Sequence, residues 1–501
     1  MRKKGGNATA DQQNLQRLMA DCFVVSLPAL ALFSYILTSF RALGDGDTGW
    51  HVAAGQWMIT HRAVPRVDIF SYTAHGRPWV AHEWLADLLM GGAYNASGWT
   101  GVLLLYAVCA AALVTVIALY LRRWLEPIPA ALVLSLVLAG LFPFLLARPH
   151  VAAWPLLALW TVTLLRAREE GRVPSAWHAL WLVVWANLHG SFVFGLALAG
   201  LFAAEAVCTA PVSRRWHDAR RWALFGIACL AATLVTPHGL TGLLFPFQLA
   251  SMPVLGAIAE WRPSDFASIG VFEVVLIAGI GSCLWLGVRL GAWRVLLLAL
   301  LLHMALAHNR HQAVLLIVGT LVLAEGFAGA RGRSEPRFDL GAAMRGQCSE
   351  LIPLAGILVF LALGVTGWKL ALPIERPDTI NVPGAALHQL PSALRTARVF
   401  NDYNFGGSLS LAGVPVSIDG RADMYGEAAM REYLDLSDHP DASKLLAAQR
   451  RWGFEWTILP PGSPLVQLLD MQTGWHRTYA DKWAVIHVDD TLFYRLHPLP
   501  H

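Results

Sequence analysis

The chain has 501 residues, 56% of them hydrophobic and only 14% charged, with 21 tryptophans. That balance lies outside the range of soluble domains and makes a bilayer the main solvent. The formal net charge is only +4, and the basic residues are spread through short loops rather than gathered in one patch, which argues against nucleic acid as a partner.

A helix needs about 20 mostly apolar residues to cross a bilayer, somewhat fewer inside a tight bundle. In chain order the candidate spans are Cys22–Phe40, Val102–Leu121, Pro129–Ala147, Val151–Leu165, Ala176–Trp185, Phe192–Val207, Trp222–Val235, Val271–Leu290, Val295–Ala307, Ala313–Phe327 and Ile352–Leu372. The first follows Arg2, Lys3 and Lys4 as a signal peptide would, but no small-residue cleavage site follows it, so it is read as a retained anchor. Between the first two spans lies a polar loop, 41–100. It predicts a short helix at Thr48–Thr60, a hairpin through Phe70–Val80 and an amphipathic surface helix at His82–Tyr94. After Leu372, strands are expected at Arg398–Asn401, Val414–Ile418, Trp456–Leu459 and Trp483–Val488. Helices are expected at Ala385–Leu390, Ala428–Leu434 and Ala442–Trp452. The fold class is therefore mainly α: a polytopic transmembrane helical bundle of about 11 spans over 1–372, with a C-terminal extracytoplasmic α/β domain over 373–501.

Orientation follows from the loop arginines. Alternate loops carry Arg122 and Arg123, then Arg166, Arg168 and Arg172, then Arg214, Arg215, Arg220 and Arg221, then Arg289 and Arg294, then Arg331, Arg333, Arg337 and Arg345. Of Lys and Arg, the opposite short loops hold only Arg148, Arg262 and Arg310, one to a loop, and the loop at His189 holds none. This places the N-terminus in the cytoplasm and the C-terminal domain outside. The six cysteines (Cys22, Cys109, Cys208, Cys229, Cys283 and Cys348) lie in or beside apolar segments without a CxxC pair, which argues against disulfides and thiolate metal sites.

Once orientation is fixed, the unusual polar residues gather on the outer side, where ionisable groups at helix ends suggest a functional site. Asp45 and Asp47, one residue apart, suit a divalent cation or the activation of a hydroxyl, and suit equally a solvated turn that caps the helix at Thr48. Glu83, between His82 and Trp84, serves as a second acid or as a helix-dipole partner. Arg148, Arg262 and Arg310 are candidate substrate contacts, and each suits headgroup contact equally; Arg310, flanked by His308 and His311, forms a compact cationic cluster suited to a phosphate. His189 and His238 each precede a glycine at a span end, Glu260 opens Glu-Trp-Arg-Pro, and Asp419, Arg421 and Asp423 follow an expected strand where binding residues commonly sit. No HExxH or other zinc spacing is present. Asp45 and Asp47 are the only metal candidates.

This organisation resembles the GT-C superfamily of polyprenyl-phosphate-dependent glycosyltransferases: a first span, an acidic motif at once in a large outer loop with two surface helices, many further spans, and an outer C-terminal domain. The stretches Asp45–His51, Trp79–Leu85, Asn187–Gly190, Glu260–Pro263 and Asp419–Gly426 are similar to a group of bacterial multi-pass membrane proteins placed near those enzymes. The resemblance implies a chain of the bacterial cytoplasmic membrane that moves a sugar from a polyprenyl-phosphate donor to a glycan, lipid or protein acceptor, with inversion. It implies that Asp47 or Asp45 is the base. Of the two, Asp47 is preferred because it stands directly at the start of a helix. The His-Pro-Pro-Leu signature of the mannosyl and aminoarabinosyl branch and the Trp-Trp-Asp-Tyr-Gly signature of oligosaccharyltransferases are absent, so the acceptor stays open. Two other readings are a lipid-linked glycan transporter, against which stands the lack of paired halves, and an inactive transferase-like chain that binds glycans.

Overall fold

The computed structural model describes residues 5–333, 335–336, 340–372 and 374–497. Arg2, Lys3, Lys4 and Arg337, which entered the loop-charge argument, lie outside the described residues. The first thirteen helices are α1 (Gly5–Thr38), α2 (Thr48–His61), α3 (Trp84–Trp124), α4 (Pro127–Leu141), α5 (Pro149–Glu169), α6 (Ala179–Leu188), α7 (Phe192–Thr209), α8 (Val212–Thr233), α9 (Gly239–Ala250), α10 (Val271–Leu286), α11 (Ala292–Ala307), α12 (Gln312–Gly329) and α13 (Leu340–Ala371). Among the described residues, five helical segments are long and apolar enough to cross a membrane: α3, α4 extended to Phe144, α5, α7, and α12 with the turn before it. Shorter apolar helices accompany them, including Cys22–Thr38 and Ala355–Ala371. One large core, running from Phe33 and Leu37 through Trp160, Trp185 and Phe202 to Ile317, holds the bundle together.

Three sequence expectations are corrected here. The surface helix does not end before the second span; both belong to α3, which bends at Ser97 and Gly98. Gly98 takes φ +61° there, a region closed to most side chains. The segment Trp222–Val235 is the end of α8, whose first half holds Arg214, Arg215, Arg220 and Arg221. Thr236-Pro237-His238 then stops the chain, and a separate helix, α9, follows where none was expected. The hairpin at 70–80 is reduced to one antiparallel bridge, Val67 to Pro78. The Asp68 carboxylate accepts from the backbone N–H groups of Phe70 (3.2 Å) and Ser71 (3.0 Å), curling the chain into a turn that competes with a strand ladder.

The C-terminal part adds α14 (Gly384–His388), α15 (Ser392–Thr396), β1 (Val399–Asn401), α16 (Gly406–Leu411), α17 (Ala422–Asp438), α18 (Ala442–Trp452), β2 (Trp456–Leu459), α19 (Pro464–Met471), β3 (Trp475–Ala480), β4 (Val485–Asp489) and α20 (Asp490–Leu496). The sheet order is β1-β2-β4-β3, with β1 parallel to β2 and the other pairs antiparallel. Along β1, Val399 faces one core and Phe400 the other, and Ile458/Leu459 and Ile486/Val485 repeat this period of two. The expected strand Val414–Ile418 stays outside the sheet; Val416 bridges Ser71 of the first loop instead. β3, an edge strand with exposed residues and no apolar run, escaped the sequence reading.

Phe400, Ile418, Tyr425 and Tyr433 share a core with Trp50, Met58 and Trp79 of the first loop and with Val254 and Leu255 after α9. The first loop and the C-terminal part thus share one core.

Candidate functional site

The motif residues meet where the loops at one end of the bundle touch the C-terminal sheet. Arg148, at the head of α5, is the hub. Its Nη2 lies 2.8 Å from Asp47 Oδ2 and its Nη1 3.6 Å from Asp45 Oδ2, and it also pairs with Glu260. The two acids have different duties. Asp45 Oδ1 accepts from the Asp47 backbone N–H (2.9 Å), holding the turn. Asp47 occupies the N-cap position of α2, but its side chain makes no capping bond. The helix-capping account therefore fails for Asp47, whose carboxylate is turned to Arg148.

Close backbone approach fixes this geometry. A Cβ on Gly420 would lie 1.8 Å from Asp47 Oδ1, and one on Gly407 would lie 2.2 Å from the Gly46 carbonyl oxygen. Glycine is required at both positions because the first loop and the Asn-Phe-Gly-Gly and Asp-Gly-Arg loops pass too near for any side chain. Arg376 ties the turn from the other side. It donates to the Leu43 carbonyl (2.9 Å), the Asp45 carbonyl and Ser408 Oγ (3.2 Å). Nothing in the sequence marked Arg376, since a lone arginine after the last span carries no motif.

A second group surrounds Glu83. Its Oε1 lies 3.4 Å from His189 Nε2 and 3.6 Å from His82 Nε2. Beside it, Trp84 Nε1 donates to Asn187 Oδ1 (2.6 Å), so the His-Glu-Trp and Asn-Leu-His-Gly motifs are latched together. His189 and Ser191 Oγ are 2.7 Å apart, and the His82 ring packs on Phe245. His238 occupies the N-cap position of α9 without a side-chain capping bond, and its backbone N–H donates to Thr236 Oγ1 (3.2 Å). Beneath, His51 Nδ1 and Asp87 Oδ1 form a buried pair at 2.6 Å that the sequence reading passed over, because each looks like an ordinary helix residue.

The expected cationic cluster divides. His308 Nδ1 bonds the Trp261 carbonyl (2.7 Å) and His311 packs edge-on against Phe194. Arg310 lies over the Trp261 ring at 4.4 Å and makes no hydrogen bond or ion pair among the described residues. Arg262 is exposed and donates to the Ala257 carbonyl (2.8 Å). Asp419 and Arg421, expected as saccharide or acceptor contacts, form a buried strut. They are 0% and 2% exposed, and Arg421 Nη2 bridges Asp419 (2.6 Å) and Asp68 (2.7 Å) between Phe70 and Trp79. Asp423 is half-buried beside His82.

Burial dominates the electrostatics. It pushes Asp47 up to about 7 against the pull of Arg148, and Glu83 up to about 7 against Arg148 and Arg310. It also raises Asp423 and holds His51, His82 and His189 below the usual histidine value, with the nearby arginines adding to the effect at His51 and His189. Glu260, more exposed, ends below its ordinary value because Arg148 and Arg310 outweigh burial. The site therefore offers a carboxylate poised to exchange a proton near neutrality and an uncommitted guanidinium. Among the described residues no group of three or more His, Cys, Asp or Glu side chains is placed to hold a metal. A cation at Asp45 and Asp47 would have to displace the Arg148 guanidinium.

No family model and no curated protein matches this chain. Its fold is similar to that of the Archaeoglobus fulgidus oligosaccharyltransferase in the apo form, at 12% identity and a TM-score of 0.50 over 87% of this chain and 69% of that one. The same enzyme tethered to an acceptor peptide containing the NVT sequon aligns at 11% identity and a TM-score of 0.49, with the same coverage of both chains. At this identity the likeness is one of fold alone.

Proposed function

We propose that this chain is a membrane glycosyltransferase that moves a sugar from a polyprenyl-phosphate donor to an acceptor on the outer face of the bacterial cytoplasmic membrane. The observation that carries the reading is Asp47: a carboxylate released from capping, titrating near neutrality and held by Arg148 at 2.8 Å. The GT-C-like fold supports it. In the reaction an acceptor hydroxyl or amide attacks the anomeric carbon while Asp47 takes its proton. The bond from that carbon to the phosphate oxygen breaks with its electron pair, and polyprenyl phosphate departs with inversion at the carbon. Arg310, which stacks on Trp261 but makes no hydrogen bond or ion pair among the described residues, meets the charge growing on the leaving phosphate. Glu83, protonated up to about pH 7, and the uncharged His82 and His189 suit hydrogen bonds to donor or acceptor.

Because the oligosaccharyltransferase signature is missing, the acceptor is left as glycan, lipid or protein. The test is release of polyprenyl phosphate from polyprenyl-phosphate mannose, glucose and galactose by the purified chain, with a membrane extract as acceptor source. Release that depends on Asp47 supports a transferase. Movement of intact donor across proteoliposomes without release would favour a transporter instead.

A further inference from the structure

A cavity of about 250 Å³ opens at the seam between the first loop and the C-terminal sheet, away from the acid cluster. Arg77, Arg398 and Arg451 line it together with Tyr72, Tyr433 and Trp452, and no carboxylate is among its lining residues. Arg398 has only the Tyr72 ring, 5.6 Å away, as a side-chain partner among the described residues. Arg77 makes one long bond, 3.5 Å, to the Tyr425 carbonyl. Arg451 alone is neutralised, by Glu432 at 2.6 Å. Arg77 and Arg398 are both exposed at the cavity and neither has an acidic partner among the described residues, so each guanidinium is available to an anion that enters it.

The aromatic wall narrows the class of anion. Phe400 holds both Tyr433 and Trp452 nearly parallel to its own ring, at 5.4 and 5.9 Å, so these rings are fixed in place. Rigid aromatic rings beside guanidinium forks suit a pyranose that carries a carboxylate: the sugar's C–H faces cover the rings and the carboxylate is gripped by two donors. The volume admits one or two sugar rings, near the roughly 300 Å³ lower end of ligand cavities. From Tyr433 a chain of bonds leads inward, Tyr403 N–H to Tyr433 Oη (2.8 Å) and Tyr403 Oη to the Gly420 carbonyl (3.0 Å), ending at the glycine that abuts Asp47.

We propose that this seam binds an acidic saccharide through Arg77 and Arg398, as a subsite separate from the reacting centre. Binding is read without turnover, so its failure leaves the transferase reading standing. Calorimetry on the full chain in detergent should show tetragalacturonate binding at least tenfold tighter than maltotetraose. Arg77→Ala and Arg398→Ala should each weaken it about tenfold, the usual scale for losing a charge-assisted pair. Arg398→Lys, which keeps charge and stem, should keep the fold and still weaken binding severalfold. Equal affinity for maltotetraose, unchanged affinity in the arginine variants, or equal binding of tetraglutamate or inorganic phosphate would each overturn the proposal.

Discussion

Replacing Asp47 by Asn removes the basicity of the carboxylate while keeping its size and hydrogen-bonding reach. Arg148 loses a partner at 2.8 Å but keeps Asp45 at 3.6 Å and its bond to Glu260, so no charge is left alone. Burial already keeps Asp47 partly protonated near neutrality, which limits the change in stability to on the order of 1 kcal/mol, well short of the 3–5 kcal/mol of a fully severed buried pair. The loss in transfer should be much larger. A general base contributes roughly 10²–10⁴-fold, which at about 1.36 kcal/mol per tenfold is about 3–5 kcal/mol of barrier. The assay is polyprenyl phosphate released per minute, set beside thermal unfolding in detergent. Activity falling at least about a hundredfold with nearly unchanged melting is expected. Retained activity with unchanged melting would refute the catalytic role of Asp47.

Further outcomes follow from the same geometry. Arg310→Ala should weaken binding of a polyprenyl-phosphate sugar severalfold more than Arg262→Ala, because Arg310 is uncommitted while Arg262 is exposed and serves its own loop; equal losses in a direct binding assay would remove Arg310 from the phosphate site. Gly420→Ala puts a methyl 1.8 Å from Asp47 Oδ1 and should cost about 1–3 kcal/mol of stability along with most of the activity, and a variant of normal melting and rate would contradict the close approach. Turnover should rise with pH through about 7 as Asp47 ionises. Stability runs the other way for Glu83, whose carboxyl is raised to about 7 in the folded chain: below its unfolded value of about 4.3 nothing is lost, and stability then falls as pH climbs toward 7 because only the unfolded chain ionises. A flat pH–rate profile between roughly pH 5 and 8 would exclude a base titrating there. Finally, cysteines placed at Gly332 and Ser463 should be labelled by an impermeant thiol reagent on intact cells only at 463. The reverse pattern would invert the orientation read from the loop arginines.

Much of the architecture is written locally. Apolar runs such as Val102–Leu121 and Phe192–Val207 have no stable place but in a helix facing lipid or other helices, and α3 and α7 contain them. The alternation in β1, β2 and β4 likewise needs no partner to be seen, and α18 lies at Ala442–Trp452 as the sequence reading has it. Local signals failed where a distant segment decides. Val414–Ile418 has strand composition, but Ser71 of the first loop claims Val416.

The site divides in the same way. Its acids and arginines stand out in the sequence because charge at a span end is costly and therefore informative. Which acid holds the turn and which is turned to the guanidinium, which cation is spent and which available, depends on Arg148 reaching Asp45, Asp47 and Glu260 across more than a hundred residues. Asp419 and Arg421 look like a binding loop in sequence and become a buried strut only when Asp68 is brought beside them. Composition and periodicity report what each segment does with solvent, whereas the pairing of charges is a property of distances that exist only in the folded chain.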